Sequence, residues 1–275
     1  MDSKGIVMNK LKEILDTAEA IVIGAGAGLS TAAGFEYGGK TFMDNFKYMN
    51  ELYGYKDMYS AGFHFFDTAE EKWAYWSKMI FLNRYNDDGK PLYKQLYNLV
   101  KDKNYFVITT NVDHQFQKAG FDKKRLFYMQ GDYGLFQCSN ACHNKTYDNY
   151  DLIMQMIEET KNHRIPSYLV PRCPICHSEM TTNLRCDEFF VEDEWWHDAK
   201  HRYDDFIKEN KKKRIVFLEI GVGFSTPTWI KYPFMNMTYN NKNATYICVN
   251  KDEEFIPDEI VKQSILVKDV NDLFR

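Results

Sequence analysis

Short apolar segments rich in β-branched residues recur along the chain, and each ends at or just before a glycine, asparagine or threonine. Continuous apolar runs of this length are typical of parallel strands that are covered on both faces of a sheet. The predicted strands are 20–24, 105–109, 215–220 and 246–249, with a weaker candidate at 264–267.

Apolar residues at helical spacing lie between these segments. They are Leu11, Ile14, Leu15 and Ala18 before the first strand, and Leu92, Leu96, Leu99 and Val100 before the second. Strands that alternate with helices predict an α/β fold with a Rossmann-like, doubly wound parallel sheet. We assign residues 1–40, 86–135 and 187–275 to this domain.

Two stretches do not fit the alternation. Residues 41–85 are rich in phenylalanine, tyrosine, tryptophan and methionine and are predicted to be helical. Residues 136–186 carry five of the six cysteines, including two close pairs, and show no regular period. We interpret both as insertions that together build a smaller second domain.

Composition excludes several classes of protein. The chain has 275 residues and a formal net charge of −4. No apolar run approaches the ~20 residues of a membrane helix, and the mild acidity argues against a nucleic-acid binder, which needs a basic face. Residues 1–13 lack the apolar core of a signal peptide. We therefore expect a cytoplasmic protein with neither a membrane nor nucleic acid as partner.

The first predicted strand leads directly into a run of small residues at 24–34, which reads GAGAGLSTAAG. A glycine turn between a strand and a helix is typical of a dinucleotide site, because glycine lets the backbone approach a pyrophosphate. Ser30 or Thr31 can cap the helix that follows. The strict G-x-G-x-x-G pattern fails at Leu29 or Thr31, which disfavours a hydride-transferring dehydrogenase. A glycine-rich turn without a ligand is the alternative.

Polar residues follow the other predicted strands, where parallel sheets bind ligands. Asn111 and Asp113 come after the second strand and would face the same side if extended; a loop asparagine and a helix-capping aspartate are the alternative. A second small-residue loop at 221–227 follows the third strand. Asn250 follows the fourth strand. Asp269 follows the fifth and could reach the same edge or be a surface carboxylate.

Two cysteine pairs have the spacing of a four-thiolate zinc site, Cys138 with Cys142 and Cys173 with Cys176. They predict a zinc-ribbon-like module in which the metal is structural and leaves no position for substrate. His143, His163 and His177 keep a mixed ligand set open, and four free thiols are the other alternative.

Taken in order, these residues resemble the sirtuin family of NAD-consuming enzymes. Residues 26–30 with Gly34 resemble the family's G-A-G-x-S…G loop, and residues 109–113 resemble its T-Q-N-I-D motif. The cysteine pairs fall where the family has its zinc module. Residues 221–223 resemble its G-T-S loop, and Asn250 resembles the asparagine after the next strand. The resemblance covers nearly the whole chain.

The departures from the family pattern bear on the reaction. The I-P-D-F-R motif of deacylases is replaced by FEYGG at 35–39, and its T-Q-N-I-D glutamine by Thr110. The histidine that serves as general base is replaced by Gln130. An imidazole can accept a proton near neutral pH, whereas an amide cannot. The deacylation step that uses this base should therefore be poor.

This pattern, together with the tract at 57–63, is similar to the macrodomain-linked class M branch of sirtuins. The resemblance implies protein mono-ADP-ribosylation rather than deacylation, with a lipoyl-carrying, glycine-cleavage-H-like protein as target. It also implies a macrodomain hydrolase as functional partner, encoded beside a lipoate ligase in a redox-response operon. A carboxylate acceptor is already deprotonated, so transfer to it would need no base.

The resemblance implies NAD as co-substrate, zinc as a structural metal, and a defined set of site residues. The implied catalytic residues are Asn111, Gln130 and Asp113. The implied cofactor-binding residues are Gly26, Ala27, Gly28, Ser30, Thr31, Gly34, Phe35, Thr110, Asn111, Gln130, Gly221, Val222, Gly223, Ser225, Asn250 and Asp269. The implied metal ligands are Cys138, Cys142, Cys173 and Cys176.

Three other functions stay open at this point. The first is a sirtuin deacylase that uses another base, for which His114 is the near candidate. The second is an NAD glycohydrolase, in which water attacks. The third is an NAD-sensing module without chemistry, against which Asn111 and Asp113 argue because a sensor needs neither.

Overall fold

The structure is a computed structural model that describes residues 3–224, 227–251 and 255–274. The chain divides into two compact units. The first comprises Met1–Ala33, Gly89–Gln130 and Glu194–Arg275, and the second comprises Gly34–Asp88 and Gly131–Asp193. Both predicted insertions, 41–85 and 136–186, lie inside the second unit. None of the described helices is long and apolar enough to cross a bilayer.

The strands are β1 (Ala20–Ala25), β2 (Tyr105–Thr109), β3 (Leu126–Tyr128), β4 (Gly131–Cys138), β5 (Tyr147–Asp148), β6 (Met180–Leu184), β7 (Ile215–Ile220), β8 (Thr245–Val249) and β9 (Ser264–Val267). The α-helices are α1 (Ser3–Thr17), α2 (Ala27–Ala32), α3 (Gly39–Tyr53), α4 (Met58–Gly62), α5 (Ala69–Ile80), α6 (Pro91–Val100), α7 (Gln115–Lys118), α8 (Tyr150–Glu159), α9 (Glu194–Asn210) and α10 (Lys231–Asn240). A π-helical turn covers Phe81–Tyr85, and 3-10 turns cover Lys123–Arg125, Ser167–Leu169, Asp258–Gln263 and Val270–Phe274.

The first unit is built on a six-stranded sheet in the order β3-β2-β1-β7-β8-β9. Every neighbouring pair in it is parallel. Every residue of β1, β2 and β7 is buried, which explains why these strands read as continuous apolar runs. The strand order reverses between β1 and β7, and doubly wound sheets bind ligands at the carboxyl ends of strands at such a point. The predicted fold class is confirmed.

The predicted strands agree with the sheet to within one residue at either end. The sequence analysis missed β3, which has only three residues and forms an edge of the sheet. The helices pack on the sheet through aromatic side chains. Trp196 of α9 contacts Phe127 of β3, and Phe234 of α10 contacts Phe217 of β7, with ring centroids 5.1 Å apart in both pairs.

The second unit combines helices α3, α4, α5 and α8 with an antiparallel sheet in the order β5-β4-β6. Residues 41–85 are largely helical, as predicted. Helix α5 begins after Thr68, whose hydroxyl accepts from the Glu71 N–H, and α3 ends at Gly54 in the left-handed conformation. Residues 136–186 are more regular than expected, because they hold most of this sheet and α8.

Candidate active site

Two loops meet at the carboxyl ends of β1 and β7. The first loop is the name we give to residues 26–30, which are Gly26 and the first turn of α2, and the second loop comprises residues 221–224. The two are joined by backbone hydrogen bonds. The Gly26 N–H donates to the Ile220 carbonyl at 3.0 Å, and the Gly28 N–H donates to the Gly221 carbonyl at 2.9 Å. A Cβ atom on Gly26 would lie 2.7 Å from the Gly221 oxygen, and one on Gly28 would lie 2.7 Å from the Gly221 Cα.

These contacts give the glycines a physical role beyond approach to a ligand. Gly221 itself has a φ of +63°, and a Cβ there would lie 2.3 Å from the Leu29 nitrogen. No larger residue fits where two backbones touch so closely. The glycines are therefore required by loop-on-loop packing, while Ala27 and Gly28 remain exposed at the surface of the first loop.

The sequence analysis was wrong about the helix cap. Helix α2 begins at Ala27 with Gly26 as its N-cap, so Ser30 and Thr31 lie inside the helix. The Thr31 hydroxyl donates to the Ala27 carbonyl at 3.2 Å. The Ser30 hydroxyl instead leaves the helix and donates to the Asp113 carboxylate at 2.5 Å. Ser30 therefore links the first loop to the end of β2.

The phenol of Tyr93, on α6, joins three of the predicted site residues. Its oxygen lies 3.1 Å from the Ser30 hydroxyl, 3.3 Å from the Asn111 amide nitrogen and 3.4 Å from an Asp113 oxygen. All four side chains are buried. Burial raises the pKa of Tyr93 well above its usual value, and Asp113 adds to the rise. The phenol therefore stays protonated and can accept from Asn111 while it donates to Asp113.

Asn111 and Asp113 converge on this phenol, and each has a further partner. The Asn111 amide also donates to the Gly26 carbonyl at 3.0 Å, which ties it to the first loop. Asp113 accepts from the Gln115 N–H at 3.0 Å, at the start of α7. The Asp113 carboxylate thus accepts a hydrogen bond at the start of α7, close to the helix-capping role given above as an alternative. It also accepts from Ser30 and Tyr93.

The other predicted residues of the first unit lie near the same strand ends. The Thr110 N–H donates to the Ala25 carbonyl at 3.0 Å. The Asn250 amide donates to the Val222 carbonyl at 3.1 Å, so Asn250 supports the second loop. Gly223 continues that loop, and Ser225 lies outside the described residues. Asp269 is exposed and accepts from Asn271, in the 3-10 turn after β9.

Gln130 is half-buried and follows a residue held at both backbone groups. The Met129 N–H donates to the Thr109 carbonyl at 3.1 Å, and the Trp196 indole donates to the Met129 carbonyl at 3.0 Å. The next residue, Gly131, has a φ of +94°. Both backbone groups of Met129 are therefore hydrogen-bonded, to β2 and to α9, and this fixes the backbone immediately before Gln130.

Gly34 and Phe35 belong to the second unit. Gly34 is exposed with a φ of +91°, and Phe35 is buried. Gly131 also begins this unit, and a Cβ there would lie 1.9 Å from the Asn183 carbonyl oxygen. Only glycine is compatible with that approach.

The four predicted metal ligands come together in the second unit. Their sulfur atoms all lie within 4.8 Å of one another, with 3.5 Å between Cys138 and Cys176 and 3.6 Å between Cys142 and Cys173. Four thiolates bound about 2.3 Å from a tetrahedral zinc ion would lie about 3.8 Å apart. The donor set therefore fits a structural zinc ion.

Histidine does not enter this group of donor atoms among the residues that the structure describes. His143 lies beside it, with Nδ1 3.1 Å from the Cys142 sulfur and Nε2 2.8 Å from the Tyr147 hydroxyl. His163 stacks on Tyr48 instead. The four-cysteine set is the arrangement that the geometry favours, and His143 is placed to support a ligand rather than to replace one.

The sequence analysis missed Tyr93 and Trp196. Tyr93 sits beside Leu92 in an amphipathic helix, where an aromatic residue is typical of a core position. Nothing local marks its hydroxyl as a partner of residues up to 63 positions away. The signal lies only in the fold, which brings α6 against the ends of β1 and β2.

Comparison with known proteins adds to this geometry. No protein-family model matches the sequence. A protein ADP-ribosyltransferase of Staphylococcus aureus is 40% identical over 275 residues, which cover 99% of this chain and 87% of that protein. A probable bifunctional ADP-ribose hydrolase/ADP-ribosyltransferase of Fusarium oxysporum f. sp. cubense is 30% identical over 236 residues, which cover 81% of this chain and 38% of that protein.

Solved structures of sirtuins share the fold. Sir2 bound to acetylated peptide aligns with a TM-score of 0.57 at 19% identity, covering 96% of this chain and 93% of that one. A complex of Sir2 with a p53 peptide and NAD+ aligns with a TM-score of 0.54 at 20% identity, with the same coverage. The chain therefore belongs to the family of protein ADP-ribosyltransferases that have the sirtuin fold.

Proposed function

We propose that this chain transfers a single ADP-ribose from NAD to a lipoyl-carrying, glycine-cleavage-H-like protein and releases nicotinamide. The proposal rests on two features taken together: the polar residues after β2 are present, and glutamine stands where the resemblance to sirtuin deacylases implies the histidine base. Asn111 and Asp113 are buried and hydrogen-bonded at the sheet edge, whereas Gln130 stands where sirtuin deacylases have histidine. The identity to the S. aureus protein ADP-ribosyltransferase supports the same reaction class.

NAD would bind at the carboxyl edge of the six-stranded sheet. The first and second loops would hold its pyrophosphate and adenosine, and Asn250 would support the adenosine ribose. Asn111 would hold the nicotinamide ribose. Asp113 would position either the nicotinamide or the first loop, to which its carboxylate is joined through the Ser30 hydroxyl.

The transfer needs no general base in this proposal. The glycosidic bond between the ribose and nicotinamide breaks, and nicotinamide leaves with the bonding electron pair. An anionic carboxylate of the acceptor protein then forms the new bond to the same ribose carbon. Positive charge develops on the ribose as the bond breaks, and the amide oxygens of Asn111 and Gln130 can stabilise it. Neither amide removes a proton.

The proposal includes a partner protein and a metal ion. The partner is a macrodomain hydrolase, which would remove the ADP-ribose and so make the modification reversible. A zinc ion on the four cysteines would stabilise the second unit and take no part in the transfer, since a four-thiolate site leaves no open position. We place the reaction in the cytoplasm, as part of a response to redox stress.

The test is transfer of label from NAD to protein. The chain is incubated with NAD labelled in the adenosine moiety, with a lipoylated H-like carrier and with the same carrier lacking lipoate. Label on the lipoylated carrier alone supports the proposal. Asn111→Ala should then abolish transfer, while Gln130→Ala should reduce it; full activity of Gln130→Ala would refute the role of that residue.

Other products separate the remaining functions. Removal of an acyl group from a test peptide, without label on the carrier, would make the chain a deacylase and would refute our interpretation of Gln130. Free ADP-ribose without labelled protein would indicate an NAD glycohydrolase. NAD binding without nicotinamide release would indicate a sensor.

A further inference from the structure

A charged residue interrupts the apolar run of β7. Glu219 lies in this central strand, fully buried, with Gly24 of β1 and Cys248 of β8 at the same level of the sheet. Burial of an unpaired carboxylate would be prohibitive, so this position requires partners. It is two residues before Gly221, where the second loop begins.

The partners come from an adjacent strand and a helix. The Lys231 ammonium, on the first residue of α10, donates to one Glu219 oxygen at 2.6 Å. The Tyr246 phenol of β8 donates to the other oxygen at 2.6 Å, and the Cys248 thiol lies 3.7 Å from the first. Glu219, Lys231, Tyr246 and Cys248 are all fully buried. We call these four residues the Glu219 cluster.

Stability alone does not explain such a cluster. Dehydrating two charges costs several kcal/mol per ion, and well-packed apolar residues in place of a buried pair are often neutral or stabilising. The position of the cluster is more informative than its energy. The cluster joins β7 to the start of α10. The second loop lies between these two elements along the chain, so the cluster ties together the two ends of the connection that contains it.

The ammonium also reaches the loop itself. The Lys231 nitrogen lies 5.0 Å from the ring centroid of Phe224, within the range of a cation–π interaction. Phe224 is 39% exposed, whereas Lys231 is 0% exposed. The ring is therefore one of the groups that separate the ammonium from water, and the ammonium holds the ring against the end of the sheet.

We propose that the Glu219–Lys231 pair positions the second loop for the adenosine half of NAD, through the ring of Phe224. The pair is a positioning device and touches neither NAD nor the acceptor. This inference rests on the proposed function only in taking the second loop as an NAD-binding element.

The test separates positioning from stability with an apolar replacement of three residues of the Glu219 cluster. The variant Glu219→Leu, Lys231→Met, Tyr246→Phe removes both charges and the Tyr246 hydroxyl, and it leaves only the weak donor thiol of Cys248 without its acceptor. We expect it to fold with a thermal midpoint near that of the wild type. We also expect the Kd for NAD, measured by calorimetry, to rise about tenfold, because the loop has lost its anchor.

A double-mutant cycle tests the route through Phe224. Phe224→Ala alone should raise the Kd for NAD, and adding it to the apolar variant should raise the Kd no further, because both changes break one connection. Additive effects would overturn the proposed route. The control is Lys242→Met, two residues beyond the end of α10. The Lys242 nitrogen also lies 5.0 Å from an aromatic ring centroid, that of Tyr239, but the side chain is exposed. It should leave the Kd unchanged.

A measurement without NAD completes the design. Backbone amides at 221–224 should exchange hydrogen faster in the apolar variant than in the wild type, while those of β2 should not. Unchanged exchange and unchanged Kd in a folded apolar variant would overturn the inference and leave the proposed function intact. Failure of the wild-type chain to bind NAD would overturn both.

Discussion

Replacement of Gly221 by alanine tests whether glycine is required there for the backbones of the two loops to pack against each other. The residue has a φ of +63°, and a Cβ built on it lies 2.3 Å from the Leu29 nitrogen and 2.5 Å from the Gly28 carbonyl carbon. Both contacts are to backbone atoms, so no side chain can rotate away. The only relief is to separate the two loops, which would also break the hydrogen bond from Gly28 to Gly221.

The expected cost has two parts. An alanine in the left-handed region costs about 1–2 kcal/mol relative to glycine. Overpacking that moves backbone costs about 1–3 kcal/mol. We therefore expect Gly221→Ala to lower the free energy of unfolding by about 3 kcal/mol, a large part of the ~5–15 kcal/mol that is typical of a folded protein.

Urea unfolding followed by tryptophan fluorescence measures this loss. The matched control is Gly120→Ala in the same unit, where φ is +96° and the nearest atoms to a Cβ lie 3.7 Å away. That variant should show only the conformational cost, about 1–2 kcal/mol. Equal losses for the two variants would refute the packing argument. A Gly221→Ala protein of wild-type stability that no longer binds NAD would return the glycine to a purely ligand-binding role.

Three further predictions follow from the site. Tyr93→Phe removes only the shared hydroxyl and should lower the rate of transfer about tenfold with a small loss of stability. The control is Tyr97→Phe on the same helix. Steady-state transfer rates measure the effect, and the Asn111→Ala variant gives the baseline. Gly131→Ala should prevent the close approach to the Asn183 carbonyl and lower the thermal midpoint by several degrees in calorimetry, and an unchanged midpoint would contradict the geometry. Chelation of zinc should release one metal ion per chain and lower the unfolding midpoint, because a structural site contributes directly to folding; absence of zinc by elemental analysis would leave the cysteines as free thiols.

Much of the fold was predictable because its signals are local. Strands covered on both faces are largely apolar, so β1, β2 and β7 could be located from sequence to within one residue, although Glu219 interrupts the run in β7. The spacing within each cysteine pair similarly predicted that four sulfur atoms would gather in one place, as they do. The shortest strand of the six-stranded sheet, β3, escaped because it has only three residues, and the antiparallel sheet of the second unit escaped because its strands are short or partly polar.

The candidate site shows more clearly the difference between features that a local pattern predicts and features that it does not. The order of motifs predicted which strand ends carry the candidate site residues, and Asn111 and Asp113 do lie together at the carboxyl end of β2. The sequence also predicted a cap by Ser30 or Thr31, which was wrong, because the helix begins at Ala27. Local preference for a serine near a helix start could not reveal that Asp113, distant in sequence, would take the Ser30 hydroxyl.

What the sequence by itself determined is the alternation of strands and helices, the composition of the loops and the spacing of the cysteine pairs. These are properties of residues and of their near neighbours. What only the tertiary structure decided is which polar groups become partners: Tyr93 with Asn111, Glu219 with Lys231, and Gly221 with Gly28. A buried polar group needs a partner from whichever element the fold brings near it, and glycine is required where a Cβ would overlap another backbone, as at Gly221. Both conditions depend on distances between elements, which no local pattern contains.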